Sequence, residues 1–195
     1  MKPEDLDRQE LKVTFKRVKE QLSQGDKVSD YSLYTAQILS YQEKDTGSAL
    51  IHYACEFRQA SFLAKVKRFQ GANFLLEQFK IQSKSGRTPL HILALTADYK
   101  MLRKVLKFMY RQGEKVLFNF LACMKDQKDS SLPIHMLLMN NRSHNEEIIV
   151  KAFRVMHRYW QLIKFSSSHL DMYLMRNKLL DYPLELVVKK GYKAM

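Results

Sequence analysis

Ser85-Gly86-Arg87-Thr88-Pro89-Leu90-His91 is the stretch that decides how the rest of the chain is read. Gly86 suits a turn with positive φ, because it has no Cβ to clash. Thr88 can cap the helix that follows. Pro89 suits the first helical position, where a missing N–H costs nothing. Leu90 begins an apolar face. His91 carries two ring nitrogens, enough to tie neighbouring turns together by hydrogen bonds.

The pattern recurs three times. Gly47-Ser48-Ala49-Leu50-Ile51-His52-Tyr53-Ala54 keeps the glycine, the apolar pair, the histidine and the small residue after it. Ser130-Ser131-Leu132-Pro133-Ile134-His135 keeps the proline, the aliphatic residue and the histidine. Asp181-Tyr182-Pro183-Leu184 keeps Pro-Leu, Glu185 replaces the histidine, and Gly191 follows in register. From about Asp45 onward the chain therefore resembles an ankyrin-repeat protein, in which a turn opens each repeat and Thr-Pro-Leu-His starts its first helix.

That resemblance implies an all-α fold: an ankyrin-repeat solenoid of stacked helix pairs. The repeats fall at about 44–82, 83–125, 126–176 and 177–195, the last incomplete. His52 to His91 is 39 residues, His91 to His135 is 44, and His135 to Glu185 is 50. The family period is about 33. The extra residues belong in longer second helices or in loops between repeats, where insertion costs little entropy.

Residues 1–43 carry no repeat motif and read as a helical N-terminal cap over the open end of the core. A helix is expected over 3–24, with Leu6, Leu11, Val13, Phe15, Val18 and Leu22 as its apolar stripe, and a second over 30–42. In the first repeat, helices are expected at Ala49–Phe57 and from Ser61, the second elongated or broken at Gly71. In the second, Leu102, Val105, Leu106 and Met109 have the spacing of a core-facing helix stopped by Gly113. Val116, Leu117 and Phe118 open an extra apolar segment. In the third, helices are expected at Pro133–Asn140 and about 145–165, with Ile149, Phe153, Met156, Trp160 and Ile163 inward. A polar loop (Asn141, Ser143, Asn145) separates them. Ser166, Ser167 and Ser168 then break that helix before a short apolar turn or helix over 169–175. The fourth repeat supplies Pro183–Lys190 alone, which leaves an apolar face for a longer chain or a neighbour to cover.

Composition narrows the function. The chain has 195 residues, 46% of them hydrophobic, and a net charge of +13. So large a positive charge favours acidic partners: an acidic protein surface, nucleic acid or an anionic membrane face. Two cysteines, Cys55 and Cys123, make no disulfide framework, which points to a reducing, cytoplasmic compartment. His52 and Cys55 sit three apart as zinc ligands can, but no second pair completes a site. The repeat register gives His52, His91 and His135 a structural role. No catalytic dyad, paired carboxylates or phosphate-binding glycine loop is evident. The expectation is a protein that is not an enzyme and takes no metal, cofactor or small-molecule substrate.

What remains is surface. The resemblance implies that a partner protein grips the turn tips and the variable positions of the first helices. Carried over, the candidate residues are Lys44, Ser48, Phe57, Lys84, Arg87, Leu95, Gln127, Lys128, Met139 and Lys178. Phe57, Leu95 and Met139 either form an apolar seam or are buried by the insertions. The alternative is a basic stripe on the outer faces of the second helices: Lys100, Arg103, Lys104, Lys107 and Arg111, with Lys151, Arg154 and Arg158. It would bind nucleic acid or an anionic membrane. Irregular arrays rich in Lys, Gln, Tyr and Phe also resemble those that intracellular bacteria inject into host cells. A host protein in host cytosol would then be the partner.

Overall fold

Four turn-to-helix openings share one local geometry. The computed structural model describes residues 8–25, 28, 30–113, 120–140, 146–164 and 172–192. Every regular element among the described residues is helical. They are α1 (Arg8–Gln24), α2 (Ala36–Ser40), α3 (Leu50–Glu56), α4 (Ala60–Gln78), α5 (Pro89–Thr96), α6 (Tyr99–Arg111), α7 (Pro133–Leu138), α8 (Glu146–Lys164) and α9 (Pro183–Lys189). Short 3₁₀ turns lie at Tyr31–Tyr34 and Met172–Leu174, and residues 120–123 are also helical. Leu6, Val116–Phe118, the polar loop over 141–145 and residues 165–171, Ser166–Ser168 among them, lie outside the described residues, as does the side chain of Ile163. No described helix is long and apolar enough to cross a membrane.

Pro89, Pro133 and Pro183 occupy the first turn of α5, α7 and α9. The third helical residue turns its side chain back to accept the N-cap N–H. His52 Nδ1 accepts from Ala49, His91 from Thr88 and His135 from Leu132, each at 3.1 Å, and Glu185 Oε2 accepts from Tyr182 at 2.8 Å. One of the donors that a helix start leaves orphaned is thereby satisfied. Thr88 stands at the N-cap as expected, but its hydroxyl meets His91 Nδ1 at 2.8 Å instead of a helix N–H. Five residues before the His or Glu, the chain always turns left-handed: Gly47 (φ 67°), Gly86 (76°), Ser130 (50°) and Leu180 (64°). Six residues after it, Arg58 (59°), Ala97 (51°) and Gly191 (68°) repeat a left-handed helix end. The geometry persists where glycine has been lost. Glycine is kept where space forbids a side chain: a Cβ on Gly47 would lie 2.7 Å from the Lys84 amide nitrogen, and one on Gly86 2.7 Å from that of Gln127.

The chain divides into two compact units, Met1–Lys84 and Ser85–Met195. In the first, α1 packs on α3, and the 3₁₀ turn packs on α4. The buried stripe of α1 is Phe15, Val18 and Leu22, whereas Val13 is exposed and Leu11 only half-buried. The helix expected over 30–42 is not continuous. The Asp30 carboxylate accepts the Ser32 N–H, and Thr35, extended at ψ 150°, accepts from Ile38. Two local caps thus split the segment into a 3₁₀ turn and α2. Tyr34 and Phe62 pack with ring centroids 5.4 Å apart, and the Tyr34 hydroxyl donates to Val28 O at 3.0 Å. Gly71 (φ 88°, ψ 169°) breaks α4 as its position suggested.

In the second unit, α5, α7 and α9 lie side by side, and α6 lies along α8. Asn140 Nδ2 donates to Leu95 O (2.7 Å) and the Tyr192 hydroxyl to Leu138 O (3.2 Å), so neighbouring first helices end together. Met101, Leu102, Val105, Leu106 and Met109 of α6 and Ile149, Phe153, Met156 and Trp160 of α8 are buried. α7 ends at Leu138, two residues before its expected limit. At the far side of α9 an apolar flank is bare: Leu184 and Val188 are 56% and 80% exposed.

The turn geometry makes an asymmetric prediction. Gly86→Ala drives a methyl into the next turn's backbone and should cost more than about 2 kcal/mol. Leu180→Gly removes an exposed side chain from a left-handed residue and should be neutral or stabilising within about 1 kcal/mol. Urea-unfolding midpoints of the two variants test the pair.

Candidate functional site

Three of the turns are closed by a bond across themselves, and within each unit neighbouring turns are tied together. Closure is a backbone bond across the turn: Glu43 N donates to Ser48 O (2.9 Å), Asp126 N to Ser131 O (2.9 Å) and Asn177 N to Asp181 O (3.1 Å). Side chains repeat the job. Asp126 Oδ1 accepts from the Asp129 and Ser131 amides at 3.1 and 2.9 Å, and Asn177 Oδ1 accepts from Asp181 N at 2.9 Å. Ties between turns are also backbone bonds. In the first unit Lys84 N donates to Thr46 O (2.8 Å). In the second, Gln127 N donates to Ser85 O (2.8 Å) and Lys178 N to Asp129 O (2.7 Å).

Histidines add a second tie. With Nδ1 accepting from the N-cap, the proton sits on Nε2, which reaches the following turn: His91 to Ser131 O at 3.2 Å and His135 to Asp181 O at 3.1 Å. Burial lowers the His91 pKa from 6.5 to about 4, and burial likewise lowers that of His135. A second proton would land on Nδ1, where a backbone N–H already points.

Turn-tip side chains are left outside this lattice. Lys44, Lys84, Gln127, Lys128 and Lys178 are exposed and Ser48 is half-buried. Arg87 is different. Its Nε lies 3.4 Å from Oδ2 of Asp126, whose side chain is fully buried, so it neutralises a carboxylate inside the second unit. Phe57, Leu95 and Met139 are each half-buried, neither a bare seam nor fully covered. Phe57 stacks on Tyr53 at 6.3 Å, and Met139 Sδ accepts from Asn177 Nδ2 at 3.8 Å.

In the first unit Lys44 and Phe57 border a groove of about 780 Å³ beside α1, with Phe15, Lys19, Tyr41 and Glu43. Glu43 is its electrostatic hinge. It pairs with Lys19 at 2.8 Å and accepts from the Tyr53 hydroxyl and from Thr46 Oγ1. Burial opposes its ionisation, but the bonds from Lys19, Tyr53 and Thr46 outweigh burial and hold it below the usual carboxylate range. The α1 lysines of this groove carry no repeat motif, so the resemblance could not have found them.

In the second unit the basic residues divide. Tyr99, Arg103 and Lys107 of α6 face Lys151, Arg154 and Arg158 of α8 across a groove of about 410 Å³ that Val155 and Tyr159 floor. Lys100, Lys104 and Arg111 are exposed on α6 but do not line it. The helices run parallel here: Lys151 Nζ lies 5.7 Å from the Tyr99 ring, and Tyr110 meets Tyr159 at 6.2 Å. Sequence spacing shows one basic face per helix. It does not show that the two faces meet.

Cys55 is fully buried, and burial raises its thiol pKa, so it behaves as a small apolar group. Among the described residues no group of three His, Cys, Asp or Glu could hold a metal. No protein-family model matches the chain, and no curated protein matches it significantly.

The His91 shift gives a pH dependence. Between its folded value of about 4 and the ordinary 6.5 the unfolded chain binds more protons. The stability His91 contributes is therefore whole above pH 6.5 and is lost as pH falls towards 4, on the order of 3 kcal/mol. Urea unfolding at successive pH values should show that slope, and His91→Gln should flatten it while lowering stability at neutral pH.

Proposed function

We propose that the chain is a divergent ankyrin-repeat stack that binds a partner protein, one with an acidic patch, through its turn tips and the open side of its first helices. The observation that carries this reading is the tie from turn to turn. Within each unit, backbone bonds between neighbouring turns fix the backbone that carries the exposed side chains, Lys44 and Lys84 in the first and Lys128 and Lys178 in the second, so a partner would not have to order those turns. The repeated His bridge, the left-handed positions and the Pro-Leu starts support the family assignment independently of composition. Charge complementarity would speed and orient encounter, and partly buried Phe57 and Met139 would anchor the complex. A host-cell protein is the partner that the resemblance to injected bacterial arrays adds.

The reading is tested by isolating the partner from a eukaryotic lysate with the full chain and then measuring affinity against single variants. Arg87→Glu is unsuitable, because it would set a second carboxylate against buried Asp126. Lys128→Glu and Phe57→Ala are the suitable variants. Each is expected to weaken binding about tenfold or more; Lys128→Glu should leave the unfolding midpoint unchanged, and Phe57→Ala, which removes the stack on Tyr53, should lower it while the chain stays folded. Unaltered affinity in both, with loss on neutralising Lys104 and Lys107, would contradict the reading.

A further inference from the structure

The groove between α6 and α8 has no part in the turn-tip reading and stands on different observations. Three arginines and two lysines converge on a volume of about 410 Å³. Arg103, Lys107 and Arg158 make no ion pair among the described residues. Lys151 pairs with Glu147 across one helical turn, and that bond raises its pKa. Like charges so placed repel one another and favour an anion that can lie between them.

Size and the aromatic residues narrow the ligand. A groove of this volume holds a small molecule and not a length of duplex. Guanidinium groups match phosphate oxygens in a two-point geometry, and lysines add point charge. The tyrosines make a poor platform for bases: Tyr159 is buried against Tyr110, and Tyr99 is half-buried with the Lys151 ammonium 5.7 Å from its ring. Successive bases therefore lack the row of open aromatic faces on which single-stranded nucleic acid usually stacks. Several phosphates on one compact scaffold can meet Arg103, Lys107 and Arg158 together, with Lys151 and Arg154 adding positive charge at the rim, better than a chain of single charges does.

We propose that this groove, formed by Arg103 and Lys107 of α6 with Lys151, Arg154 and Arg158 of α8, binds a compact polyphosphorylated ligand: an inositol polyphosphate, free or as the headgroup of a phosphoinositide lipid. Binding relieves the repulsion among the cations and so stabilises the second unit.

The test uses the full chain at physiological salt. Inositol hexakisphosphate is titrated by calorimetry and by thermal unfolding. Vesicles of phosphatidylcholine, with and without phosphatidylinositol bisphosphate, are assayed by sedimentation. Saturable binding with a raised unfolding temperature is expected from the soluble probe, the phosphoinositide vesicles or both, and which of them binds identifies the source. Arg103→Gln with Arg158→Gln should weaken it about tenfold or more, while Lys100→Gln with Lys104→Gln, equal in charge lost but outside the groove, should change it less than about twofold. Absence of binding to both probes would overturn the proposal. So would equal loss in the two double variants, or tighter binding of a single-stranded oligonucleotide that the groove variants leave intact.

Discussion

A neutral imidazole with both nitrogens occupied is the interaction on which the second unit depends. Nδ1 of His91 takes the amide proton at the start of its own helix, and Nε2 gives a proton to the carbonyl of the following turn. His135 does the same one step further on. A single ring therefore fixes where a helix begins and where the neighbouring turn must lie. Burial keeps the ring neutral, and neutrality is what allows one nitrogen to accept while the other donates. Leaving either partner unpaired inside the fold would cost roughly 1–3 kcal/mol.

The four turn-to-helix openings differ in residue while keeping one backbone form. At the opening position of the turn, glycine remains only where the next turn's amide crowds it, at Gly47 and Gly86. Ser130 and Leu180 hold the same left-handed conformation without glycine, and Leu180 is largely exposed. At the fourth opening a carboxylate takes over the N-terminal half of the histidine's task, since Glu185 accepts the Tyr182 amide. Spacing lengthens between openings because the constraint acts on the turns and not on what lies between them. The kink at Gly71 is one place where such added length is accommodated.

Much of this was legible in the sequence for the same reason. Proline at the first helical position and a residue able to accept the N-cap amide are local signals, so α3, α5, α7 and α9 start within a residue or so of where the motif puts them. The segment over 30–42 misled because its apolar spacing is helical while Asp30 and Thr35 each offer the backbone a competing cap. Arg87 looks like a free turn-tip cation until Asp126, distant in sequence, is brought beneath it. The basic faces of α6 and α8 are each visible as helical spacing. Their meeting depends on how two helices about 50 residues apart are aligned, and no pattern within either helix carries that information. Phe57, Leu95 and Met139 come out half-buried because neighbouring packing, not helix period, sets their cover.

For function, the arrangement separates two surfaces by what holds them. Turn tips are positioned by backbone bonds and present single side chains. The basic groove is positioned by apolar packing of α6 on α8 and presents a cluster of charge. The central claim is that His91 and His135 bridge successive turns as neutral rings. It is tested most directly by long-range proton–nitrogen NMR of the imidazoles at neutral pH. The account predicts that both rings carry the proton on Nε2, with that proton protected from solvent exchange. Rings protonated on Nδ1, or Nε2 protons that exchange as fast as those of an exposed histidine, would contradict it.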